Sequence, residues 1–159
     1  MTQNLQIRKA TINDLERILD LLLEDELGQS REVKTVQLDQ RYTNAFAKID
    51  DDPNQYLTVT ELLDGNEPKE IVGTCHSTIM PSLTFTGSTR MQIEAVRVSE
   101  KHRGQKIGEW MIEKAIEYGK SRDATLIQLT TNKKRPRAKH FYEKIGFEAT
   151  HEGMKLYLR

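Results

Sequence analysis

The sequence predicts an α/β chain with a mixed sheet, an α+β arrangement, folded as a single domain over residues 1–159. Three observations predict it. The hydrophobic period is helical before Pro53 and strand-like after it. A β-like run at 91–98 feeds a basic, glycine-bearing loop that turns directly into an amphipathic helix. A short apolar run at 126–130 follows that helix and completes a βαβ unit. A chain of 159 residues buries roughly two-thirds of its unfolded surface, so one core is expected.

The elements follow in order. Leu5-Gln6-Ile7-Arg8 alternates like a short strand, and Thr11-Ile12-Asn13-Asp14 reads as a helix cap with an acidic first turn. Ile12, Leu15, Leu19, Leu22 and Leu23 recur at helical spacing to about Leu27, with Gly28 expected as a left-handed stop. Leu38, Tyr42, Ala45, Phe46 and Ile49 make a second amphipathic helix, ended by Asp50-Asp51-Asp52-Pro53-Asn54. Residues 56–61 and 71–80 read as a hairpin about Asp64-Gly65-Asn66, and 91–98 as a third strand. Ile107, Met111, Ile112, Ala115 and Ile116 give the next helix its apolar stripe. A last helix carries Phe141 and Tyr142 and stops at Gly146, and 147–150 and 155–158 read as two closing strands.

Composition narrows the function. Lysine plus arginine and aspartate plus glutamate balance at 24 each, which disfavours nucleic acid or an anionic membrane as partner; any anion attraction must be local. Cys75 is the sole cysteine, and the N-terminal residues lack the apolar region of a secretory signal, so a reducing cytoplasm is expected. The longest apolar stretch, near 18–23, is far short of the ~20 residues of a membrane-spanning helix. Four scattered histidines form no recognisable metal motif, and each is expected to be a surface or packed residue.

The junction Val98-Ser99-Glu100-Lys101-His102-Arg103-Gly104-Gln105-Lys106-Ile107-Gly108 is built to hold phosphate. The first amides of a helix have no internal partners and sit at the positive end of its dipole, and glycine lets a ligand approach the backbone closely. Read as R-x-x-G-x-G/A, it resembles the acyl-CoA signature of the GCN5-related N-acetyltransferase (GNAT) superfamily, with Arg103 first and Gly108 last. Lys106 stands where the first glycine is usual. If that position is helical, lysine costs almost nothing, and this is the expectation taken. A second segment, Ala138-Lys139-His140-Phe141-Tyr142-Glu143-Lys144-Ile145-Gly146-Phe147, resembles the family's A-x-x-F-Y-E-K-x-G-F run. The predicted element order matches that fold from end to end.

The resemblance implies an acetyl-CoA-dependent N-acetyltransferase working by direct attack in a ternary complex, without metal or covalent enzyme intermediate. A lysine-type amine, with a pKa of about 10.4, must lose a proton before it can attack. Glu94, in Gln92-Ile93-Glu94-Ala95-Val96-Arg97-Val98, is similar to the family's strand glutamate that offers a carboxylate to the amine. Tyr142 is the implied proton donor to the leaving thiolate, since a phenol donates one hydrogen bond from the end of a rigid ring. Backbone groups at Ala95, Val96 or Val98 are the implied oxyanion donors. The implied cofactor set is Val96, Val98, Arg103, Gly104, Gln105, Lys106, Ile107, Gly108, Asn132, Arg135 and Ala138. Arg135 stands where many relatives carry asparagine, and Asn132 lies three residues earlier.

The basic run at 133–139 serves CoA phosphates or solvation on this reading. The T-N-x-K-R-x-x-A-x-x-F-Y wording of 131–142 is also similar to the aminoalkylphosphonate acetyltransferases, which would imply a small anionic primary amine. A small-molecule amine is the expected acceptor, and a homodimer is what the family implies. The alternatives are a non-catalytic acyl-CoA-binding regulatory module and a protein N-terminal or lysine acetyltransferase. Cys75 is expected to be a buried small hydrophobe rather than a nucleophile.

Overall fold

The computed structural model describes residues 4–24 and 26–158. The chain divides into two compact units, one reaching to Gln128 and one from Leu129 onward.

The first unit holds the five-stranded sheet, except that the last residue of its final strand lies past the division. β1 (Leu5–Lys9), β2 (Gln55–Asp64), β3 (Glu67–Pro81), β4 (Thr89–Val98) and β5 (Ala124–Leu129) are neighbours in that order. The pairs β1–β2, β2–β3 and β3–β4 are antiparallel. Thr125 Oγ1 donates to the Thr89 carbonyl at 3.4 Å and Gln128 Nε2 to Gln92 Oε1 at 2.8 Å, so β5 ascends in the same direction as β4. That is the βαβ unit the sequence predicts.

Helices cover both faces. On one, α1 (Leu15–Leu23) and α3 (Gln40–Asp51) bring Leu15, Ile18 and Phe46 onto Leu57 and Val59 of β2. On the other, α5 (Ile107–Ser121) buries Ile107, Met111, Ile112 and Ala115. Each buried isoleucine or methionine there stabilises the fold by about 1.5–3 kcal/mol, and Ala115 by less. α5 lies so close to the sheet that a Cβ on Gly73 would stand 2.6 Å from Met111 Sδ.

α1 begins on a polar knot. Asp14 accepts from the Thr11 amide at 2.7 Å and from both terminal nitrogens of Arg8 at 2.7 and 2.9 Å, while Arg8 Nε reaches Glu61 at 2.9 Å. Both carboxylates are buried. Charge-assisted, bidentate bonding is what makes such burial tolerable.

Three local expectations need correction. The first helix does not run to Leu27: α1 ends at Leu23 and a separate turn, α2 (Glu26–Gln29), contains Gly28. Gly28 is not a left-handed stop; a Cβ there would overlap the Leu22 carbonyl oxygen, so its role is close packing. A further turn, α4 (Thr84–Gly87), interrupts the β3–β4 connection with Phe85 and Thr86 left-handed. In the second unit, α6 (Pro136–Lys144) ends at Gly146 with φ 102°, as expected. The closing strands expected at 147–150 and 155–158 are not formed among the described residues, and Met154, Leu156, Tyr157 and Leu158 are exposed. Alternation marks which side chains could share a face; it does not supply the partner edge a strand needs.

Candidate active site

The segment entering α5 is held from several sides. The Ser99 amide donates to the Val72 carbonyl at 2.8 Å, and the Glu100 amide donates to Glu24 Oε2 at 2.7 Å. Glu24 is steadied by Arg17, whose Nε also donates to the Ile71 carbonyl. Arg103 folds back, Nε donating to the Val98 carbonyl and Nη1 pairing with Glu100 Oε1, both at 3.3 Å. The loop therefore closes on β4 before the helix starts.

Gly104 takes φ 77°, with open space where a Cβ would stand. The helical ladder begins with the Trp110 amide on the Lys106 carbonyl at 3.1 Å, leaving the amides of Ile107 and Gly108 ahead of it. Gln105 Nε2 caps the Lys101 carbonyl. Lys101, Arg103 and Lys106 are exposed around this end. A 15-residue helix presenting its first amides beside three cations is an anion cradle.

Lys106 corrects an expectation. It is the N-cap of α5 at φ 64°, ψ 10°, not a helical residue. The left-handed region costs a non-glycine residue about 1–2 kcal/mol, which is the physical reason for glycine at the corresponding place in the motif.

β4 changes course just before the loop. His76 pairs with Glu94 and Thr74 with Arg97, so Cys75 alone opposes Ala95 and Val96. Ala95 has φ 51°. This is a β-bulge, a device that interrupts pairing and re-aims backbone groups. Ala95, Val96 and Val98, the expected backbone donors, thus sit at a real irregularity and just beyond it.

Glu94 is exposed, on the sheet face shared with Leu57 and His76. Beside it runs a polar row: Gln55 opposes Thr78, Thr78 opposes Gln92, and Gln128 donates to Gln92. Gln55 Oε1 accepts from His76 Nε2 at 2.7 Å and from Thr78 Oγ1 at 2.9 Å. Burial pushes the His76 imidazole below its ordinary value, opposed by the Glu94 charge. His76, expected as a surface or packed residue, is hydrogen-bonded into this row. The available signal was that Gln92 and Glu94, two apart on one strand, put polar groups on one face.

Asn132, Arg135, Ala138 and Tyr142 lie in the second unit. Asn132 builds a turn: its Oδ1 accepts from the Lys134 amide at 2.9 Å and its carbonyl from the Arg135 amide at 2.8 Å. Arg135 is then the N-cap of α6, with Pro136 in the first helical turn. Ala138 is half-buried. Tyr142 is half-buried too, edge-on to Phe141 at 5.1 Å and to Phe147 at 5.8 Å. Lys133, Lys134, Arg137 and Lys139 are exposed.

Cys75 is 1% exposed, and burial pushes its thiol up to about 12, so it is no nucleophile at neutral pH. Among the described residues no three histidine, cysteine, aspartate or glutamate side chains are grouped to hold a metal. None of the described helices is long and apolar enough to cross a membrane.

Residues 15–147 match the family model described as Acetyltransferase (GNAT) family. The chain belongs to the GNAT acetyltransferases. A solved transcriptional regulator from Bacillus halodurans C-125 is 44% identical to this GNAT chain, with TM-score 0.89, covering 98% of it and 100% of the regulator. An acetyltransferase from Trypanosoma brucei is 26% identical, TM-score 0.74, with 98% and 100% covered. Glucosamine-6-phosphate N-acetyltransferase from Arabidopsis thaliana, at 24% identity and TM-score 0.75, with 99% and 100% covered, shares the fold. No curated protein matches the chain. Family membership makes acetyl transfer with an acyl-CoA donor the general chemistry of this fold.

Proposed function

We propose that this single-domain GNAT protein transfers the acetyl group of acetyl-CoA to a primary amine of a small molecule, within the cytoplasm, by direct attack in a ternary complex. The observation that carries the reading is the anion cradle set immediately after a bulged strand that presents a carboxylate. The chain's own groups fit the pyrophosphate of acetyl-CoA. Gly104 is left-handed and open, Lys106 is left-handed at the cap, and the amides of Ile107 and Gly108 lead the helix. Arg103, Gln105 and Lys106 frame them, and Asn132, Arg135 and Ala138 are assigned to the pantetheine side by their motif positions.

Each residue then has one task. Glu94 takes the proton of the ammonium, directly or through one water, leaving a nucleophilic nitrogen. That nitrogen attacks the thioester carbonyl, whose oxygen is met by backbone donors at Ala95, Val96 or Val98. As the C–S bond breaks, the Tyr142 hydroxyl gives its proton to the sulfur. The second proton of the nitrogen leaves to solvent and solvent returns one to the Tyr142 phenolate, so the products are amide and free thiol and the tyrosine is restored.

A second reading is favoured by one comparison, the 44% identical transcriptional regulator: a regulatory module that binds acyl-CoA without turning it over. Binding to immobilised CoA, competed by acetyl-CoA at about 0.15 M salt, is common to both readings. Thiol release across an amine panel separates them. Turnover that falls at least tenfold in Glu94→Gln and Tyr142→Phe supports the enzyme with these roles; acetyl-CoA binding without thiol release from any amine supports the module.

A further inference from the structure

We infer that His76 is a proton-relay residue of the acceptor site, held in its Nε2–H form by Gln55 and paired across the ladder with Glu94. The inference rests on Glu94 being the base assigned above and adds the group that empties it.

His76 and Glu94 are directly opposed on β3 and β4 and therefore share a face at close range. Gln55, diagonal to His76 on β2, turns its carbonyl oxygen to two donors, His76 Nε2 and Thr78 Oγ1. A carbonyl oxygen only accepts, so the ring carries its proton on Nε2, and the neutral ring keeps the Nδ1 lone pair. Burial favours that neutral form. A proton taken by Glu94 from the ammonium passes across the ladder to Nδ1 through water and on to solvent, restoring the carboxylate for the next turnover.

The ring's neighbours come from three strands. β2 supplies Gln55 and Leu57; β3 supplies Thr74 and Thr78; β4 supplies Glu94 and, past the bulge, Arg97. α1 sends Arg17 to the Ile71 carbonyl, five residues upstream. Glu94 is the charge felt at His76.

The test reads the His76 ring by nitrogen-proton NMR, the resonance assigned by its loss in His76→Gln, and the acid limb of kcat/KM. The probes are 2-aminoethanol, glucosamine and a lysine-bearing peptide. The expected results are an Nε2–H ring titrating below 6.5, a lower midpoint in Glu94→Gln, and a raised midpoint in Gln55→Glu. The acid limb should follow the Gln55→Glu shift and disappear in His76→Gln, with kcat/KM down at least tenfold. An Nδ1–H ring, or a midpoint unmoved by Glu94→Gln, overturns the inference even if none of the probes is a substrate. Loss of rate in Glu94→Gln with an unchanged limb in Gln55→Glu and His76→Gln removes the relay and leaves the base. Full rate in Glu94→Gln removes the base and the relay with it. Should His76→Gln fail to fold, Gln55→Glu alone decides, because a purely structural tie predicts no shift in the limb.

Discussion

Replacing Asp14 with asparagine should weaken the fold in a way that depends on pH. The Asp14 carboxylate is 6% exposed and accepts from Arg8 at 2.7 and 2.9 Å and from the Thr11 amide and hydroxyl at 2.7 and 3.0 Å. The Arg8 bonds, opposed by burial and aided by Thr11, hold it at about 2 against an ordinary 3.8. At about 1.36 kcal/mol per pH unit, that drop is worth ~2.5 kcal/mol of folding stability at pH 7. A group with a depressed folded value stabilises fully above its unfolded value and loses the contribution as pH falls through the folded one. The charge-dependent part should stay constant from pH 7 to about 5 and fall to ~0.8 kcal/mol at pH 2.5. For a chain of this size the variant should melt about 5–10 °C lower at pH 7. Urea denaturation of both proteins at pH 7, 4 and 2.5 measures the gap. A gap under about 0.5 kcal/mol at pH 7, or one as wide at pH 2.5 as at pH 7, would refute this account of the knot that starts α1.

Three further outcomes follow from particular contacts. With its thiol at about 12 and 1% exposed, Cys75 should resist an aromatic disulfide reagent at pH 8 until denaturant is added; stoichiometric labelling of the native protein within minutes would contradict its burial. Lys106→Gly removes left-handed strain of about 1–2 kcal/mol but adds chain entropy of about 1 kcal/mol, so stability should hold or rise by up to ~1 kcal/mol, whereas Lys106→Val should lose ~1 kcal/mol or more. Equal urea midpoints for all three proteins would contradict the left-handed cap. Gly73→Ala places a Cβ 2.6 Å from Met111 Sδ and 3.0 Å from the Arg97 carbonyl oxygen, which should cost about 1–3 kcal/mol in urea denaturation; a loss below about 0.5 kcal/mol would mean that α5 is not seated as described.

Much of the architecture was legible because it depends on period and punctuation. The change from helical to alternating spacing at Pro53 marks the entry to the sheet. Gly65 and Gly146 take the positive φ that their turn and cap require. Gly28 shows where this reasoning fails, since the same residue type serves either a left-handed turn or a close backbone approach, and only packing distinguishes them. Lys106 failed for a related reason: a side chain with ordinary helical propensity conceals a strained cap. The anion cradle was readable because its chemistry lies in consecutive residues. The polar row Gln55, Thr78, Gln92 and Gln128 was not, because its members come from four strands and meet only through register. His76 and Glu24 belong to that second kind, their roles set by partners far away in sequence.

The most direct measurement is a product balance for [13C]acetyl-CoA and an accepted amine, following thiol, acetylated amine and intact enzyme mass together. Direct transfer predicts one acetylated amine for each thiol released and an enzyme mass that never changes. Thiol without acetylated amine, an acetyl group retained on the enzyme, or tight acetyl-CoA binding with neither product would each contradict it.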